Sequence, residues 1–266
     1  MDRSSLGKDT WSGSGIMNNG SLGPLVLAGS GEYTSTMDIV DRFLLDQAAG
    51  RNVVLIATSC AMEGEAVMTK WEQMGVAHFR RLGIDATPLR IKDRDDAEVP
   101  ANADRIASAG VVWFSGGSPV YLAQAFHETR SFRALESANR AGAAVAGASG
   151  GLGVLNAPIP SPDNPGPTAL GLAAPVRAIA HFDRAEQRRP EFVERIVTGL
   201  LPGQMAIGVD EDTAVVWTEG AWRVMGHKRA VLFVGRDRRI YHHGELIEDL
   251  PPPLRARPEQ APNTTV

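Results

Sequence analysis

The residues most able to do chemistry lie in a stretch of small residues that ends in a Gly-x-Ser-x-Gly pattern, at 147–151. An apolar run from Ala143 leads into this pattern, and Leu152 begins a segment that could open a helix. A serine nucleophile on a tight strand-to-helix turn needs glycines on either side, because larger side chains would collide with neighbouring backbone. The pattern therefore makes Ser149 a candidate nucleophile. The alternative is a small-residue turn that only lets a helix pack closely on a sheet.

Two further segments carry groups that a serine nucleophile would need. The turn at 115–119 contains two adjacent glycines whose amides could approach a ligand, although an ordinary strand-to-helix turn looks the same. His181 follows the apolar run 176–180, and a serine hydroxyl needs a neighbouring base such as histidine. None of the other histidines follows a predicted parallel strand. His181 is therefore the candidate base, with a purely structural histidine as the alternative.

The acid that would orient the histidine has two candidate positions. The segment 208–214 places three carboxylates at another strand end, and Glu211 is the central one. A carboxylate there could stabilise the charged form of His181. Asp163, in the proline-rich segment between the serine and the histidine, is the rival position. A solvated acidic turn is the alternative for 208–214.

Short apolar runs alternate with longer amphipathic segments, which is typical of a parallel sheet covered by helices. The predicted strands of this sheet are 25–28, 53–57, 86–91, 111–114, 143–147 and 176–180, and helices are predicted at 36–49, 65–82 and 121–127. After Met205, closely spaced runs at 214–218, 222–225, 230–234 and 239–242 predict antiparallel hairpins that finish the sheet edge. The expected fold is α/β, a doubly wound, mostly parallel sheet with C-terminal antiparallel hairpins. Ligands bind beyond the carboxyl ends of strands in such sheets, where Ser149 and His181 lie.

Composition limits the classes of function. The chain has 266 residues, of which 43% are hydrophobic and 22% charged, so it can bury a substantial core. Its formal net charge is -4, without a long run of one sign, and we expect neither a nucleic-acid nor a membrane partner. The sequence has neither the roughly 20 continuous apolar residues of a membrane helix nor the apolar core of a signal peptide. We therefore expect a cytoplasmic protein, and a homodimer is left open.

The folded body is expected to be one α/β domain over residues 23–250. Residues 1–22 are rich in Ser, Gly and Asn and predict a disordered arm, while the prolines from Pro251 onward predict a disordered tail over 251–266. The single cysteine, Cys60, excludes an intramolecular disulfide and suits a passive loop thiol. Metal-ligand spacing is absent from the sequence. Residues 29–32 resemble the start of a dinucleotide fingerprint, but Thr34 replaces its last glycine, so we expect no cofactor.

Five motifs together resemble the cyanophycinase and peptidase E family of serine peptidases, which has the class I glutamine-amidotransferase-like fold. The motifs are 27–32, 112–117, 147–151, 181–182 and 207–214. Each is short, but their order and spacing make the resemblance fairly specific. It covers nearly the whole predicted body, from about Leu25 to Val234.

The resemblance implies roles for particular residues. Ser149 would be the nucleophile, His181 the general base and Glu211 the orienting acid. The amides of Gly117 and Gly150 would bind the oxyanion. The implied reaction is acyl transfer to water through an acyl-enzyme, with neither cofactor nor metal, and the family cleaves peptide or isopeptide bonds next to aspartate. The residues that we expect to bind the substrate are Glu32, Ser118 and Arg184.

Departures from the family pattern motivate a second hypothesis. The family usually has Ala-Gly-Ala after the serine, where this chain has Gly-Gly-Leu at 150–152. Ser118–Pro119 and Ile179–Ala180 replace Asp-Gln pairs of the cyanophycinases, so the substrate is predicted only as a small peptide, amide or ester. The second hypothesis is a non-catalytic binding or regulatory protein that keeps the fold. A serine and a histidine within roughly 2.6–3.2 Å of each other would favour the enzyme.

Overall fold

A computed structural model describes residues 22–156 and 169–254. The predicted arm up to residue 21, the rival acid Asp163 and the chain beyond Leu254 lie outside the described residues. Pro251 and Leu254, at the start of the predicted tail, hydrogen bond to the body: the Pro251 carbonyl accepts from Trp222 Nε1 at 2.8 Å, and the Leu254 amide donates to the Ala173 carbonyl at 3.1 Å. Contacts with the body therefore extend past the expected boundary at residue 250.

Eleven strands and nine helices make up the described part of the chain. The strands are β1 (Leu25–Ala28), β2 (Val53–Ile56), β3 (Ala86–Pro88), β4 (Val111–Phe114), β5 (Ala144–Ala148), β6 (Arg177–Ile179), β7 (Met205–Val209), β8 (Thr213–Thr218), β9 (Ala221–Gly226), β10 (Arg229–Val234) and β11 (Asp237–His242). The helices are α1 (Asp38–Gln47), α2 (Glu65–Arg81), α3 (Arg94–Glu98), α4 (Pro100–Ala107), α5 (Pro119–Phe126), α6 (Arg130–Arg140), α7 (Gly150–Leu155), α8 (Phe182–Arg188) and α9 (Pro190–Thr198). Two 3-10 segments, Ser35–Met37 and Thr58–Glu63, precede α1 and α2.

The central sheet has seven strands in the order β3-β2-β4-β5-β1-β8-β9. The first five run parallel to one another, while β8 and β9 add an antiparallel hairpin beside β1. The pairing of Ala28 with Ala148 aligns the carboxyl ends of β1 and β5 at one edge of the sheet. The predicted α/β fold with a mostly parallel sheet is confirmed.

Both faces of the central sheet are buried, which explains the continuous apolar runs of its strands. Leu25 and Leu27 of β1 enter one core, and Val26 and Ala28 enter the other. All four residues are fully buried. Helices α1 and α2 supply apolar side chains to the second core, while α4 to α7 supply the first. This double covering leaves the strand ends as the open part of the sheet.

The C-terminal strands are divided between two sheets, which corrects part of the prediction. A four-stranded sheet has the order β11-β10-β7-β6, so the β10–β11 hairpin does not finish the central sheet. The predicted central strand at 176–180 also belongs here, because β6 pairs in parallel with β7. Phe182 and Phe233 pack against each other in the core of this second sheet, with ring centroids 5.8 Å apart. An apolar run in the sequence does not indicate which sheet it joins.

Candidate active site

Ser149 occupies a strained turn between β5 and α7. Its backbone has φ 52° and ψ -110°, in the half of the map that residues other than glycine rarely adopt. The amide of Ser149 donates to the Ala28 carbonyl at 3.0 Å, which fixes the turn to the end of β1. A Cβ on Gly147 would lie 2.5 Å from the Gly151 carbonyl carbon, so the turn is too tight for a side chain there. The predicted sharp strand-to-helix turn is therefore present.

His181 reaches Ser149 from the second sheet. It lies between β6 and α8 in a left-handed conformation, with φ 49° and ψ 42°. Its amide donates to the Gly29 carbonyl at 3.2 Å, which brings the end of β6 to the end of β1. As a result, His181 Nε2 is 2.8 Å from Ser149 Oγ. This distance lies within the range that favours an enzyme over a non-catalytic protein.

Glu211 completes a hydrogen-bonded chain of three side chains. It lies in the turn between β7 and β8, and its Oε1 is 2.7 Å from His181 Nδ1. The side chain of Glu211 is 12% exposed, while that of His181 is 41% exposed. The second carboxylate oxygen, Oε2, forms an ion pair with Arg184 Nε at 2.7 Å. The carboxylate is therefore held on both sides, with one oxygen committed to the histidine.

A second carboxylate, Asp183, holds the backbone of Glu211, and sequence reasoning did not identify it. Asp183 Oδ1 accepts from the Glu211 amide at 3.1 Å, and Oδ2 accepts from Lys228 Nζ at 2.6 Å. Burial acts to raise the pKa of Asp183, but the hydrogen bonds from Lys228 and the Glu211 amide lower it overall. The only indication in the sequence that Asp183 belongs to the site was its position two residues after His181. Asp183 therefore presents a charged acceptor that fixes the Glu211 turn.

The turn at 115–119 lies against the serine turn. The Gly116 amide donates to Glu32 Oε1 at 3.1 Å, while the amides of Gly117 and Gly150 have no acceptor among the described residues. A Cβ on Gly150 would lie 2.1 Å from the Gly117 carbonyl oxygen. This close approach gives a physical reason for glycine at position 150, where the family usually has alanine. The two free amides therefore lie on backbone segments in direct contact.

The three predicted substrate-binding residues all have partners within the chain. Glu32 is 6% exposed, and burial raises its pKa even though the Gly116 amide acts in the opposite direction. Ser118 Oγ accepts from the Tyr121 amide at 3.2 Å and caps α5. The side chain of Arg184 is 57% exposed while its Nε holds Glu211. Their role toward a substrate stays a prediction.

Cys60 is fully buried, and burial raises its pKa to about 11, so its thiol is protonated at neutral pH. This agrees with the expected passive thiol.

Residues 22–156 and 169–254 contain no group of three or more His, Cys, Asp or Glu side chains placed to hold a metal ion. Over the same ranges, every helix is too short or too polar to cross a membrane.

Comparison with known families identifies the chain. Residues 25–225 match Peptidase family S51. The chain belongs to this family. The S51 match begins with β1, ends within β9 and includes Ser149, His181 and Glu211. The predicted resemblance to peptidase E and cyanophycinase is confirmed at the level of the family.

Two solved structures resemble this S51 chain. A peptidase from an acI-B1 Actinobacterium has 28% sequence identity and a TM-score of 0.76, over 85% of this chain and 96% of that one. A protein named as a candidate peptidase E from Listeria monocytogenes EGD-e has 17% identity and a TM-score of 0.54, over 84% and 99%. The second similarity concerns the fold alone. Comparison with curated proteins finds no match.

Proposed function

We propose that the protein is a serine hydrolase that cleaves a small peptide, amide or ester through an acyl-enzyme on Ser149. The observation that carries this proposal is the pair of hydrogen bonds through His181, at 2.8 Å to Ser149 Oγ and 2.7 Å to Glu211 Oε1. Membership of a peptidase family supports a peptide substrate. The strained conformation of Ser149 supports a nucleophile, because such strain collects at functional positions.

The first half of the reaction uses all three side chains. Glu211 accepts a hydrogen bond from the Nδ1–H of His181, and this tautomer leaves the Nε2 lone pair facing the serine hydroxyl. As Ser149 Oγ attacks the substrate carbonyl carbon, its proton moves to Nε2, and Glu211 stabilises the imidazolium that forms. The carbonyl oxygen becomes an oxyanion in the tetrahedral intermediate. We assign its stabilisation to the amides of Gly117 and Gly150, which have no other acceptor among the described residues.

The second half returns the enzyme to its starting state. His181 donates its Nε2 proton to the leaving amine or alcohol as the bond to the carbonyl carbon breaks. A water molecule then attacks the acyl-enzyme while His181 accepts one of its protons. Collapse of the second tetrahedral intermediate returns that proton to Ser149 Oγ and releases the acid. One water is consumed for each bond cleaved.

Arg184, Glu32 and Ser118 are proposed to select the substrate. Arg184 is a cation in direct contact with Glu211, and its side chain is 57% exposed. A substrate carboxylate could share its guanidinium, because the side chain is exposed and carries more N–H donors than its ion pair with Glu211 requires. This arrangement supports a preference for substrates with a carboxylate near the cleaved bond.

A substrate panel with paired variants tests the proposed function. The panel contains dipeptides with aspartate, glutamate, alanine or lysine first, and a p-nitrophenyl ester. Wild type should turn over at least one substrate, while Ser149→Ala and His181→Ala should each lose about a thousandfold or more. His127→Ala is the matched control, because the His127 side chain is 40% exposed, like that of His181, and lies outside the site. Equal turnover by wild type and Ser149→Ala would contradict the proposal.

A further inference from the structure

The peptide that carries the Gly117 amide is held by groups from elsewhere in the chain. The amide before it, on Gly116, donates to Glu32 Oε1 at 3.1 Å, and the amide after it, on Ser118, donates to the Ser59 carbonyl at 2.7 Å. Both neighbouring amides are therefore occupied. Only the Gly117 amide has no acceptor among the described residues in this part of the turn.

The Ser59 hydroxyl donates a hydrogen bond to the backbone carbonyls of the same turn. Ser59 Oγ lies 2.6 Å from the Gly116 carbonyl oxygen and 2.7 Å from the Ser115 carbonyl oxygen. A hydroxyl has one hydrogen, so the two carbonyls share a single donor. Ser59 is 2% exposed and lies in the 3-10 segment that follows β2. This donor is therefore shielded from water and held by the core.

Peptide planarity connects the Ser59 hydroxyl to the direction of the Gly117 amide. The Gly116 carbonyl and the Gly117 N–H belong to one planar trans peptide, so they point in opposite directions. Because the carbonyl points to Ser59, the N–H must point away from Ser59. Gly116 in turn lies beside the nucleophile, since a Cβ on it would be 3.1 Å from Ser149 Cβ. Rotation of this peptide would move the amide away from the reacting carbonyl.

The backbone of the turn packs closely against Ser59. Gly117 has φ 137°, which favours glycine, and a Cβ on it would lie 2.5 Å from the Ser59 carbonyl oxygen. The hydroxyl of Tyr33 also lies 2.9 Å from Ser115 Oγ, at the start of the same turn. Ser59 contacts the turn through both its backbone and its side chain, but it has no hydrogen bond to Ser149 or His181 among the described residues.

We propose that Ser59 is a positioning residue for the oxyanion hole, because its hydroxyl fixes the peptide that presents the Gly117 amide. The inference rests on the proposed serine hydrolase function. It predicts that the Ser59 hydroxyl contributes to kcat and not to substrate binding. Misplacing a catalytic group by about 1 Å can cost about a hundredfold in rate. Ser59→Ala should therefore lower kcat about ten- to a hundredfold and leave KM nearly unchanged.

Thr58→Val is the matched control for the loss of a buried hydroxyl. Thr58 is fully buried next to Ser59, but its hydroxyl donates to the Ile91 carbonyl and not to the glycine turn. Removal of either hydroxyl should lower the melting temperature. Only Ser59→Ala should lower kcat, because only Ser59 holds the peptide of the Gly117 amide.

The experiment measures kcat, KM and melting temperature on the full chain with the best substrate of the panel. It also measures the inhibition constant of the aldehyde analogue of that substrate, which forms a tetrahedral adduct with the serine. Ser59→Ala should weaken aldehyde inhibition by the same factor as it lowers kcat/KM, because both depend on the oxyanion hole. Ser59→Cys, assayed under reducing conditions, keeps a weak donor and should lie between wild type and Ser59→Ala.

The outcomes separate this inference from the proposed function. If wild type turns over no substrate, both fail. If wild type is active but Ser59→Ala has the kcat and the aldehyde affinity of Thr58→Val, the assignment of Ser59 fails while the proposed function stands. If Ser59→Ala does not fold, the kcat of the Ser59→Cys variant tests the assignment of Ser59 instead. A kcat for that variant equal to that of wild type would then overturn the assignment.

Discussion

The substitution Gly150→Ala would place a methyl group where the backbone of the neighbouring turn already lies. Its Cβ would be 2.1 Å from the Gly117 carbonyl oxygen and 3.1 Å from the Gly117 nitrogen. Ordinary van der Waals contact begins at 3.4 Å. The serine turn and the Gly117 turn must therefore separate by more than about 1 Å to accept the methyl group. This separation moves the two proposed oxyanion amides relative to each other.

The expected loss follows from that displacement. A shift of about 1 Å can cost about a hundredfold, and loss of one oxyanion donor costs about 10²–10³ in kcat. Gly150→Ala should thus lower kcat at least about a hundredfold. Alanine favours a helix over glycine by about 1 kcal/mol, so any loss of activity would not reflect weaker helix propensity in α7.

Gly153→Ala, in the same helix, is the control for this prediction. Its Cβ would lie 3.4 Å from Pro119 Cβ, which is an ordinary contact. Steady-state kinetics on the best substrate should show Gly153→Ala within about threefold of wild type, with circular dichroism to verify folding of both variants. If folded Gly150→Ala keeps the kcat of Gly153→Ala, the argument that this contact positions the oxyanion amides is refuted.

Three further substitutions test the groups around His181. Glu211→Gln keeps the size of the side chain but cannot stabilise the imidazolium as a carboxylate does, so kcat should fall about 10⁴-fold. Arg184→Gln should raise KM about tenfold for a dipeptide with a side-chain carboxylate and much less for its alanine analogue, because a charged hydrogen bond is lost. Asp183 has a lowered pKa in the folded protein, so its charged form stabilises the fold above its ordinary pKa of about 3.9 and that contribution is lost as the pH falls through the folded-state pKa. The difference in melting temperature between wild type and Asp183→Asn should therefore be largest near pH 7 and shrink below about pH 4.

Each of these experiments has an outcome that would contradict its argument. A small effect of Glu211→Gln would show that Glu211 does not act as the orienting acid. Equal changes in KM for both dipeptides would remove Arg184 from substrate binding. A melting-temperature difference for Asp183→Asn that persists unchanged at low pH would contradict the stabilising charge assigned to that residue.

The parallel strands of the central sheet could be predicted because each strand is itself a continuous apolar run. Val111–Phe114 is a predicted and an observed strand with the same bounds, since burial on both faces requires four apolar residues in succession. The serine turn was predictable for a similar reason, because glycines at 147 and 151 are needed within a few residues of Ser149. Such features depend on close neighbours in the sequence.

Other parts of the molecule depend on contacts between distant residues. The strand Arg177–Ile179 was expected in the central sheet but pairs with Met205–Val209 in the second sheet, and its short apolar run fits either place. The sequence did not indicate the proposed role of Ser59, because the carbonyls that accept its hydrogen bond lie 56 and 57 residues further along the chain. Arg184 was expected to face a substrate, and its bond to Glu211 became visible only once both turns were placed.

Covalent labelling of Ser149 tests the central claim most directly. The intact full chain is incubated with a fluorophosphonate probe, and the adduct is measured by mass spectrometry and mapped to a residue. Wild type should gain one probe with loss of HF, on Ser149, because His181 Nε2 lies 2.8 Å from Ser149 Oγ and can accept its proton. Ser149→Ala should gain none. Folded wild-type protein that stays unlabelled, or carries the adduct on another residue, would contradict the account.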